Sequence, residues 1–274
     1  MTGAGGQLGR ALVAAFGDER DVIAADRATL DVGDRHAVVG AITALQPDVV
    51  VHAAAYTDVD GCESEVDRAF RVNAMGCRWV ADGARRVGAH VVAISTDYVF
   101  DGVTDRPYVE WDACNPLSVY GRSKRAGEVE IDPASTIVRT TWVWGREQGL
   151  VPAILRLAAG QGTLRFVDDQ LACPSFVEDV AVVVRDLALA RLPGTYHVTN
   201  AGAITPYALA RDTMRLAGED PDRVVRVTTA ELGRPAPRPA RSDLDNAALR
   251  LAGLPPLPHH QEPLERLVKE LTAS

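Results

Sequence analysis

Near its start the chain reads Thr2-Gly3-Ala4-Gly5-Gly6-Gln7-Leu8-Gly9, with glycines at positions 3, 6 and 9. Glycines at this spacing permit a tight turn, a close approach of the backbone to a phosphate and close packing of the next helix. Residues 9–16 have the pattern of that helix, so a pyrophosphate would lie at its N-terminus. The glycines alone are a weak signal, and the prediction of a dinucleotide-binding turn depends on the sequence around them.

The segment after this turn favours a dinucleotide. Residues 21–25 (DVIAA) predict a short buried strand, and Asp26 follows it, 17 residues after Gly9. A carboxylate at this strand end typically binds the ribose hydroxyls of NAD. Arg27 beside it would instead suit the 2′-phosphate of NADP, so both NADH and NADPH remain candidates. Asp26 and Arg27 are equally compatible with an ordinary solvated turn that binds no cofactor.

The strand that should precede the glycine turn has almost no sequence to form it. Only Met1 stands before Thr2, whereas a dinucleotide-binding unit places a central strand there. We therefore expect this first β-strand to be missing from the N-terminus, and an N-terminally shortened chain would explain it.

Helical and strand patterns alternate through the first half of the chain, as an α/β fold requires. The predicted elements are helix 34–45, strand 48–52, helices 63–72 and 73–87, strand 89–95, helix 118–131 and strand 135–139. They predict a Rossmann-like doubly wound parallel sheet. The alternation weakens after residue 145, which predicts a smaller C-terminal α/β substrate lobe. We expect residues 1–145 plus 176–200 to form a dinucleotide-binding domain and residues 146–175 plus 201–274 to form the smaller lobe.

Length and composition narrow the classes of function. The 274 residues carry a net charge of -8 with a pI near 5.3, which speaks against general binding to nucleic acid or to an anionic membrane. No apolar run approaches the roughly 20 residues of a membrane span, and we expect no signal peptide. The four cysteines lack the CxxC spacing of metal sites. We expect a cytoplasmic protein without a metal ion, acting as a monomer or homodimer.

Tyr120 and Lys124 stand four residues apart in the segment YGRSK. On a helix these two side chains share one face and can reach the same bound molecule. Tyr120 would exchange a proton, and the charge of Lys124 would lower the pKa of the phenol. The chain has only two lysines, at 124 and 269, beside 27 arginines, so a lysine here is unusual. An ordinary exposed helix would also contain such a pair by chance.

Small and polar residues follow two predicted strands at the edge of the sheet where ligands bind in open α/β folds. Residues 53–55 are three alanines, which leave room for a cofactor, and strand 89–95 leads into Thr96. A threonine at this edge can form a hydrogen bond with a carbonyl oxygen, although it can equally cap the strand end. Residues 99–116 predict a loop of about 18 residues, a length that is usually functional or disordered.

Together these segments resemble the extended short-chain dehydrogenase/reductase superfamily, and within it the dTDP-4-dehydrorhamnose reductase family. The specific signal is the combination of STDYVFDG at 95–102, YGRSK at 120–124 and RTTWVWG at 139–145. Other segments that resemble the family are GAGGQLGR at 3–10, LDVGD at 30–34, HAAAYTDVDGCE at 52–63, DDQLACPS at 168–175 and RPARSDL at 238–244. The chain departs from the family pattern at His52, where asparagine is usual, and at Ala172, Cys173 and Ser175.

The resemblance implies an NAD(P)H-dependent oxidoreductase acting on a sugar nucleotide. It implies reduction of the C4 keto group of dTDP-4-dehydro-6-deoxy-L-mannose (dTDP-4-dehydro-β-L-rhamnose) to dTDP-L-rhamnose. Tyr120 would protonate the C4 oxygen, Lys124 would bind the nicotinamide ribose, and Thr96 would polarise the carbonyl. The residues expected to bind NADPH or NADH are Gly3, Gly6, Gln7, Leu8, Gly9, Asp26, Asp31, Val32, Ala53, Ala54, Ala55, Tyr120 and Lys124. Those expected to bind substrate are Thr96, Asp97, Tyr98 and Trp142.

Two other functions remain compatible with the same residues. One is a non-catalytic, dinucleotide-binding regulatory subunit similar to that of methionine adenosyltransferase. The other is a different nucleotide-sugar reductase or a 4-epimerase. Some members of the family bind magnesium at a dimer interface, but no positions for that ion can be identified here.

Overall fold

A computed structural model describes residues 1–17 and 21–273 of the chain. Its centre is a parallel sheet of four strands in the order β1-β2-β3-β7. These strands are β1 (Val49–His52), β2 (His90–Thr96), β3 (Thr136–Thr140) and β7 (Gly194–His197). Neighbouring parallel strands need crossover connections, and the alternating helices supply them. The predicted α/β class and parallel sheet are thereby confirmed.

Helices cover both faces of this sheet, which makes three layers. Because successive strand residues point to opposite faces, Val51, Val92 and Val138 pack against one set of helices. Val50 and Val91 pack against the other set. The first set is α1 (Gln7–Phe16), α8 (Val177–Ala190) and α11 (Ala247–Leu251), and the second is α2 (Arg35–Leu45) and α5 (Gly76–Val87).

Two residues at the start of the chain occupy the position of the expected first strand. Thr2 forms isolated parallel bridges to Ala25 on one side and to His52 on the other. Its backbone N–H donates to Val51 O at 3.0 Å. Within the described residues 1–6 no strand forms, as expected. Thr2 nevertheless makes some of the backbone hydrogen bonds that a strand between Ala25 and His52 would make.

The strand predicted over 21–25 is wrong. In this segment only Ala25 bridges to a neighbour: its N–H donates to Met1 O, and its carbonyl accepts from the Ala4 N–H. A single bridge does not make a ladder, which needs several paired residues.

The helices predicted over 63–72 and 73–87 divide differently in the structure. The observed sequence is α3 (Val59–Ser64), α4 (Val66–Phe70), a π-helical turn (Arg71–Met75) and then α5. π-helical turns are rare and are frequently found at functional sites. The predicted helix over 118–131 is confirmed as α6 (Val119–Glu130), and a 3₁₀ turn (Asp97–Val99) directly follows β2.

Beyond residue 142 the chain builds smaller units beside the main sheet. Two parallel pairs form, β4 (Val143–Trp144) with β6 (Ser175–Phe176) and β5 (Leu164–Val167) with β8 (Val224–Val227). The helices here are α7 (Leu150–Ala158), α9 (Pro206–Leu216), α10 (Thr229–Leu232) and α12 (Gln261–Thr272), with a 3₁₀ turn at Pro221–Arg223. The division into two domains with the boundaries given above stays a prediction.

None of the helices in residues 1–17 and 21–273 has the length and apolar character that crossing a membrane requires.

Candidate active site

Helix α6 carries Tyr120 and Lys124 to the carboxyl edge of the main sheet. Its first turn is capped by Ser118, whose Oγ accepts the Gly121 N–H at 3.1 Å. Gly121 packs directly against the carbonyl of Tyr98, and a side chain there would overlap that oxygen. The close approach therefore fixes the start of α6 against the turn that follows β2.

Tyr120 lies in a nearly closed environment, with 9% of its surface exposed. Its ring packs edge-to-face on Tyr98, with ring centroids 5.7 Å apart. Burial raises the pKa of the phenol above its ordinary value, and a hydrogen bond with Thr96 opposes the rise. The expectation that Lys124 lowers this pKa is wrong for this structure, because burial outweighs every other influence.

The ammonium of Lys124 is directed to the sheet. Its Nζ donates to the carbonyl oxygen of Ile94 at 2.7 Å, and 4% of the residue is exposed. Burial lowers the pKa of Lys124, while nearby Cys77 and Glu128 raise it. Lys124 thus shares one face of α6 with Tyr120, as predicted, and holds a fixed position on β2.

Thr96 connects Tyr120 to a buried carboxyl group. Its hydroxyl donates to Asp97 Oδ1 at 3.0 Å and accepts the Tyr98 N–H at 3.2 Å. Burial raises the pKa of Asp97 to about 6, and hydrogen bonds from Ser242, Thr141 and Thr96 oppose this rise. Asp97 is therefore a buried acid that can change its charge near neutral pH.

The glycine turn packs against the residues after β1. Gly3 has a φ of 72°, and a side chain on it would overlap the backbone of Ala53 and Ala54. A side chain on Gly9 would overlap the carbonyl of Gly3. Gly6 caps α1 without any side-chain hydrogen bond, so the free N–H groups of this helix end are available to an anion.

Asp26 stands beside this turn with its carboxylate already in use. Its Oδ1 accepts hydrogen bonds from the Ala28 and Thr29 backbone N–H groups and from the Thr29 hydroxyl. The Thr29 hydrogen bonds hold the pKa of Asp26 below its ordinary value. The carboxylate is therefore charged at neutral pH and stabilises the turn that presents Arg27.

One large cavity of about 1100 Å³ joins these parts. It runs from the glycine turn and Asp26, past the alanines after β1, to Tyr120 and Trp142. Every residue predicted for catalysis, cofactor or substrate lines it: Gly3, Gly6, Gln7, Leu8, Gly9, Asp26, Asp31, Val32, Ala53, Ala54, Ala55, Thr96, Asp97, Tyr98, Tyr120, Lys124 and Trp142. The structure brings the predicted set together, and the role of each residue stays a prediction.

Asn73, which the sequence did not point to, holds two segments beside this cavity together by hydrogen bonds. Its Oδ1 accepts the Tyr56 N–H at 2.8 Å, and its Nδ2 donates to Tyr56 O at 3.0 Å and to Ser123 Oγ at 2.9 Å. It thereby joins the segment after β1 to α6. Its position depends on the π-helical turn, for which the sequence carries no clear signal.

A second cavity of about 410 Å³ adjoins the first and was also missed. Tyr98 and Trp142 line both cavities. The second is further lined by Arg165, Phe166, Gln170, Arg234 and Arg238, among others. These residues come from β5, from the segment after it and from the proline-rich segment near 235–239, so their proximity follows from long-range folding.

His52 is a departure from the family pattern, and the structure gives it a local role. Its Nδ1 forms a 2.7 Å hydrogen bond with Thr2 Oγ1. Burial lowers the pKa of His52 to about 3, so the imidazole is neutral. It fastens the short N-terminal segment to β1.

Among residues 1–17 and 21–273, no group of three or more His, Cys, Asp or Glu side chains is arranged to hold a metal ion.

The chain matches the family model described as "RmlD substrate binding domain" over residues 1–273. The dTDP-4-dehydrorhamnose reductase of Streptomyces griseus is 44% identical over 271 residues, covering 94% of this chain and 89% of that protein. Among solved structures, a dTDP-4-dehydrorhamnose reductase from Clostridium acetobutylicum superposes with a TM-score of 0.94 at 37% identity, covering 98% of both chains. The enzyme of that name from Bacillus anthracis, solved in complex with NADP, gives a TM-score of 0.93 at 36% identity, covering 98% of this chain and 97% of that one. With the fold, the cavity and these similarities in agreement, the chain belongs to the dTDP-4-dehydrorhamnose reductase family of oxidoreductases.

Proposed function

We propose that the protein reduces the C4 keto group of dTDP-4-dehydro-6-deoxy-L-mannose to give dTDP-L-rhamnose, with NADPH or NADH as the reductant. The observation that carries this proposal is the meeting of Thr96, Tyr120 and Lys124 in the cavity that also contains the glycine turn. A dinucleotide site and a proton donor in one cavity are what a carbonyl reductase requires.

The residues of the turn fit a dinucleotide. The turn is tight, because a side chain on Gly3 or on Gly9 would overlap the backbone. The uncapped N–H groups after Gly6 would bind an anion such as a pyrophosphate. Asp26 or Arg27 would contact the adenosine ribose. When bound, the reduced nicotinamide supplies the hydride, and the protein supplies alignment and a proton.

Tyr120 is suited to the role of proton donor. Because burial raises the pKa of the phenol, the group keeps its proton throughout the neutral range. Transfer of this proton to the C4 oxygen would neutralise the alkoxide as the carbonyl is reduced. Thr96 would hold Tyr120 in place by its hydrogen bond, and Lys124 would contact the nicotinamide ribose from its position on Ile94.

The substrate would occupy the remaining part of the large cavity and extend into the second one. Asp97, Tyr98 and Trp142 would contact the sugar. Arg165, Arg234 and Arg238 line the second cavity. Arg234 and Arg238 share the single carboxylate of Asp60, so the three arginines keep an excess of positive charge that would suit the diphosphate. The smaller lobe, residues 146–175 plus 201–274, would then bind the nucleotide.

We further propose that the protein works in the cytoplasm as a monomer or homodimer. Its four cysteines are unpaired, which suits a reducing compartment.

The test is an absorbance assay at 340 nm with enzymatically prepared dTDP-4-keto-6-deoxy sugar, run with NADPH and with NADH. Stoichiometric oxidation of the cofactor with formation of dTDP-L-rhamnose is expected. Binding of the cofactor without oxidation by any 4-keto sugar nucleotide would overturn the proposal and favour a regulatory subunit. Turnover without net consumption of cofactor would instead indicate an epimerase.

A further inference from the structure

Helix α6 carries a third buried polar residue on the face of Tyr120 and Lys124. Glu128 follows Lys124 by four residues, so the three side chains lie in one row along the helix. Each contacts one of three successive residues at the end of β2. Lys124 bonds to Ile94 O at 2.7 Å, Glu128 accepts from Ser95 Oγ at 2.5 Å, and Tyr120 lies close enough to Thr96 for that hydroxyl to lower the pKa of the phenol.

Glu128 is also paired with an arginine of the neighbouring strand. Arg139 of β3 donates from Nε to Glu128 Oε1 at 2.9 Å and from Nη2 to Oε2 at 2.8 Å. Both side chains are buried, with 4% of Arg139 and 2% of Glu128 exposed. We call Ser95, Glu128 and Arg139 the Glu128 cluster.

The strand register places the Glu128 cluster directly beside the site. Ser95 pairs with Arg139 across β2 and β3, and Thr96 pairs with Thr140 one residue later. The cluster therefore joins α6 to two strands at the edge of the cavity: Ser95 itself lines the cavity, and Arg139 stands one residue before Thr140, which also lines it. A shift of α6 along the sheet that moved Tyr120 away from Thr96 would also break the hydrogen bonds of the cluster.

A buried ion pair generally adds little to the free energy of unfolding. Its desolvation cost often equals its attraction, and apolar residues of similar size can replace such pairs without loss of stability. Its directional, two-pronged geometry does fix the relative position of two elements. The Glu128 cluster is thus better explained by alignment than by stability.

We propose that Glu128 is a positioning residue for the reduction, acting through Arg139 and Ser95 to hold Tyr120 and Lys124 in register with Thr96. The inference rests on the proposed function for its catalytic consequence, but the alignment of Lys124 can be measured without turnover.

The first test replaces both charges together, with Glu128→Met and Arg139→Met in one chain, so that neither charge is left buried alone. The melting temperature should stay close to that of the wild type, and the affinity for NADPH, measured by fluorescence titration, should fall only as far as the ribose contact of Lys124 is lost. The value of kcat should fall by about tenfold or more, because small misplacements of reacting groups are costly, while KM for the sugar changes little. A kcat equal to that of the wild type would overturn the proposal.

A matched control is the exposed pair of Arg250 and Asp245, joined at 2.7 and 3.2 Å. The double variant Arg250→Met and Asp245→Asn should leave kcat unchanged. If the buried double variant fails to fold, Arg139→Lys decides the question, since lysine keeps the charge but cannot form the two-pronged contact. A reduced kcat in a folded Arg139→Lys protein supports positioning, and an unchanged kcat contradicts it.

The second readout needs no substrate, because the chain has only two lysines. With lysine labelled for NMR, the side-chain signals of Lys124 and the exposed Lys269 can be followed through a pH titration. The groups that act on Lys124 are Glu128 on its own helix, Cys77 on α5 and His52 on β1. In the Glu128→Met/Arg139→Met variant the titration and the chemical shift of Lys124 should both change, because the carboxylate that raises its pKa and the guanidinium bound to that carboxylate are lost together.

The Lys269 signal should be the same in both proteins. An unchanged Lys124 signal would overturn the alignment role even if the enzyme proved inactive with the proposed sugar. Absence of reduction by the wild type, with a changed Lys124 signal in the variant, would reject the proposed function and retain the alignment.

Discussion

The two ends of the large cavity differ in how their side chains are held. At the end formed by Thr96, Tyr120 and Lys124, the side chains are buried and each has a defined partner on a strand or helix. At the other end, Asp26 is half-buried and Arg27 is exposed, and the geometry there comes mainly from the backbone. In the proposed function, we therefore expect side chains to fix the geometry of the reacting groups and the backbone of the turn to fix the position of the cofactor.

The largest effect is expected at the buried end, from Tyr120→Phe. Loss of the proton donor should lower kcat by about 10²–10⁴-fold, with little change in NADPH affinity because the ring keeps its packing on Tyr98. Steady-state kinetics and a fluorescence titration measure the two quantities. Tyr207→Phe on α9 serves as the control. Undiminished turnover in Tyr120→Phe would show that the buried end does not supply the proton.

Gly3→Ala tests whether the backbone of the glycine turn determines cofactor affinity at the other end of the cavity. The new side chain would meet Ala53 and Ala54 in a left-handed backbone conformation, so NADPH affinity should fall by about 100-fold, provided that the turn binds phosphate. Gly17→Ala is the matched control, because Gly17 also has a positive φ but no atom of residues 1–17 and 21–273 within 4 Å of the added carbon. It should cost about 1–3 kcal/mol of stability and leave NADPH affinity intact. Equal affinities in the two variants would contradict the prediction.

Asp97→Asn tests the difference between the two ends of the cavity through the pH dependence of the free energy of unfolding. In the folded protein the pKa of Asp97 is about 6, above its ordinary value of 3.8, so between these values the folded state holds the proton more tightly than the unfolded state. The wild type therefore loses stability as pH rises from about 4 to 6, by about 2–3 kcal/mol from this group. Asn has no such charge, so the stability of the variant relative to the wild type should rise over this range.

Urea unfolding at pH 4, 5, 6 and 7 measures this difference. Asp26→Asn at the exposed end is the control, because the pKa of Asp26 lies below its ordinary value. Its contribution is lost only below about pH 4, so this control should show no rise between pH 4 and 7. A flat profile for Asp97→Asn would mean that Asp97 titrates normally.

The smallest effect is expected from Arg27→Ala. If Arg27 contacts the 2′-phosphate, KM for NADPH should rise several-fold and KM for NADH should stay nearly constant, because exposed charge pairs contribute only about 0–1 kcal/mol. The value of kcat should not change. Parallel changes in both KM values would show that Arg27 does not distinguish the cofactors.

The features that the sequence predicted well depend on local patterns. The extent of α6 and the shared face of Tyr120 and Lys124 follow from residues within a few positions of one another. The glycine turn is equally local. Together with the parallel order of the strands, these local features were enough to choose a set of site residues that all line the large cavity.

The features that were missed depend on distant partners. The π-helical turn that directs Asn73 to Tyr56 and Ser123 has no distinct sequence pattern. The strand over 21–25 was wrongly predicted because its apolar residues suit a strand, whereas only Ala25 bridges to a neighbour in the structure. The pKa of Tyr120 was predicted in the wrong direction because the helix pair alone does not reveal how deeply the phenol is buried.

Trp142 has a φ of 39°, an unusual conformation for a bulky residue that costs about 1–2 kcal/mol. Its indole is part of the wall common to both cavities. In the proposed function the sugar nucleotide extends through both cavities, so Trp142 would contact it where the two meet. The cost of this backbone conformation would then be met by ligand binding and not by the folding of the chain.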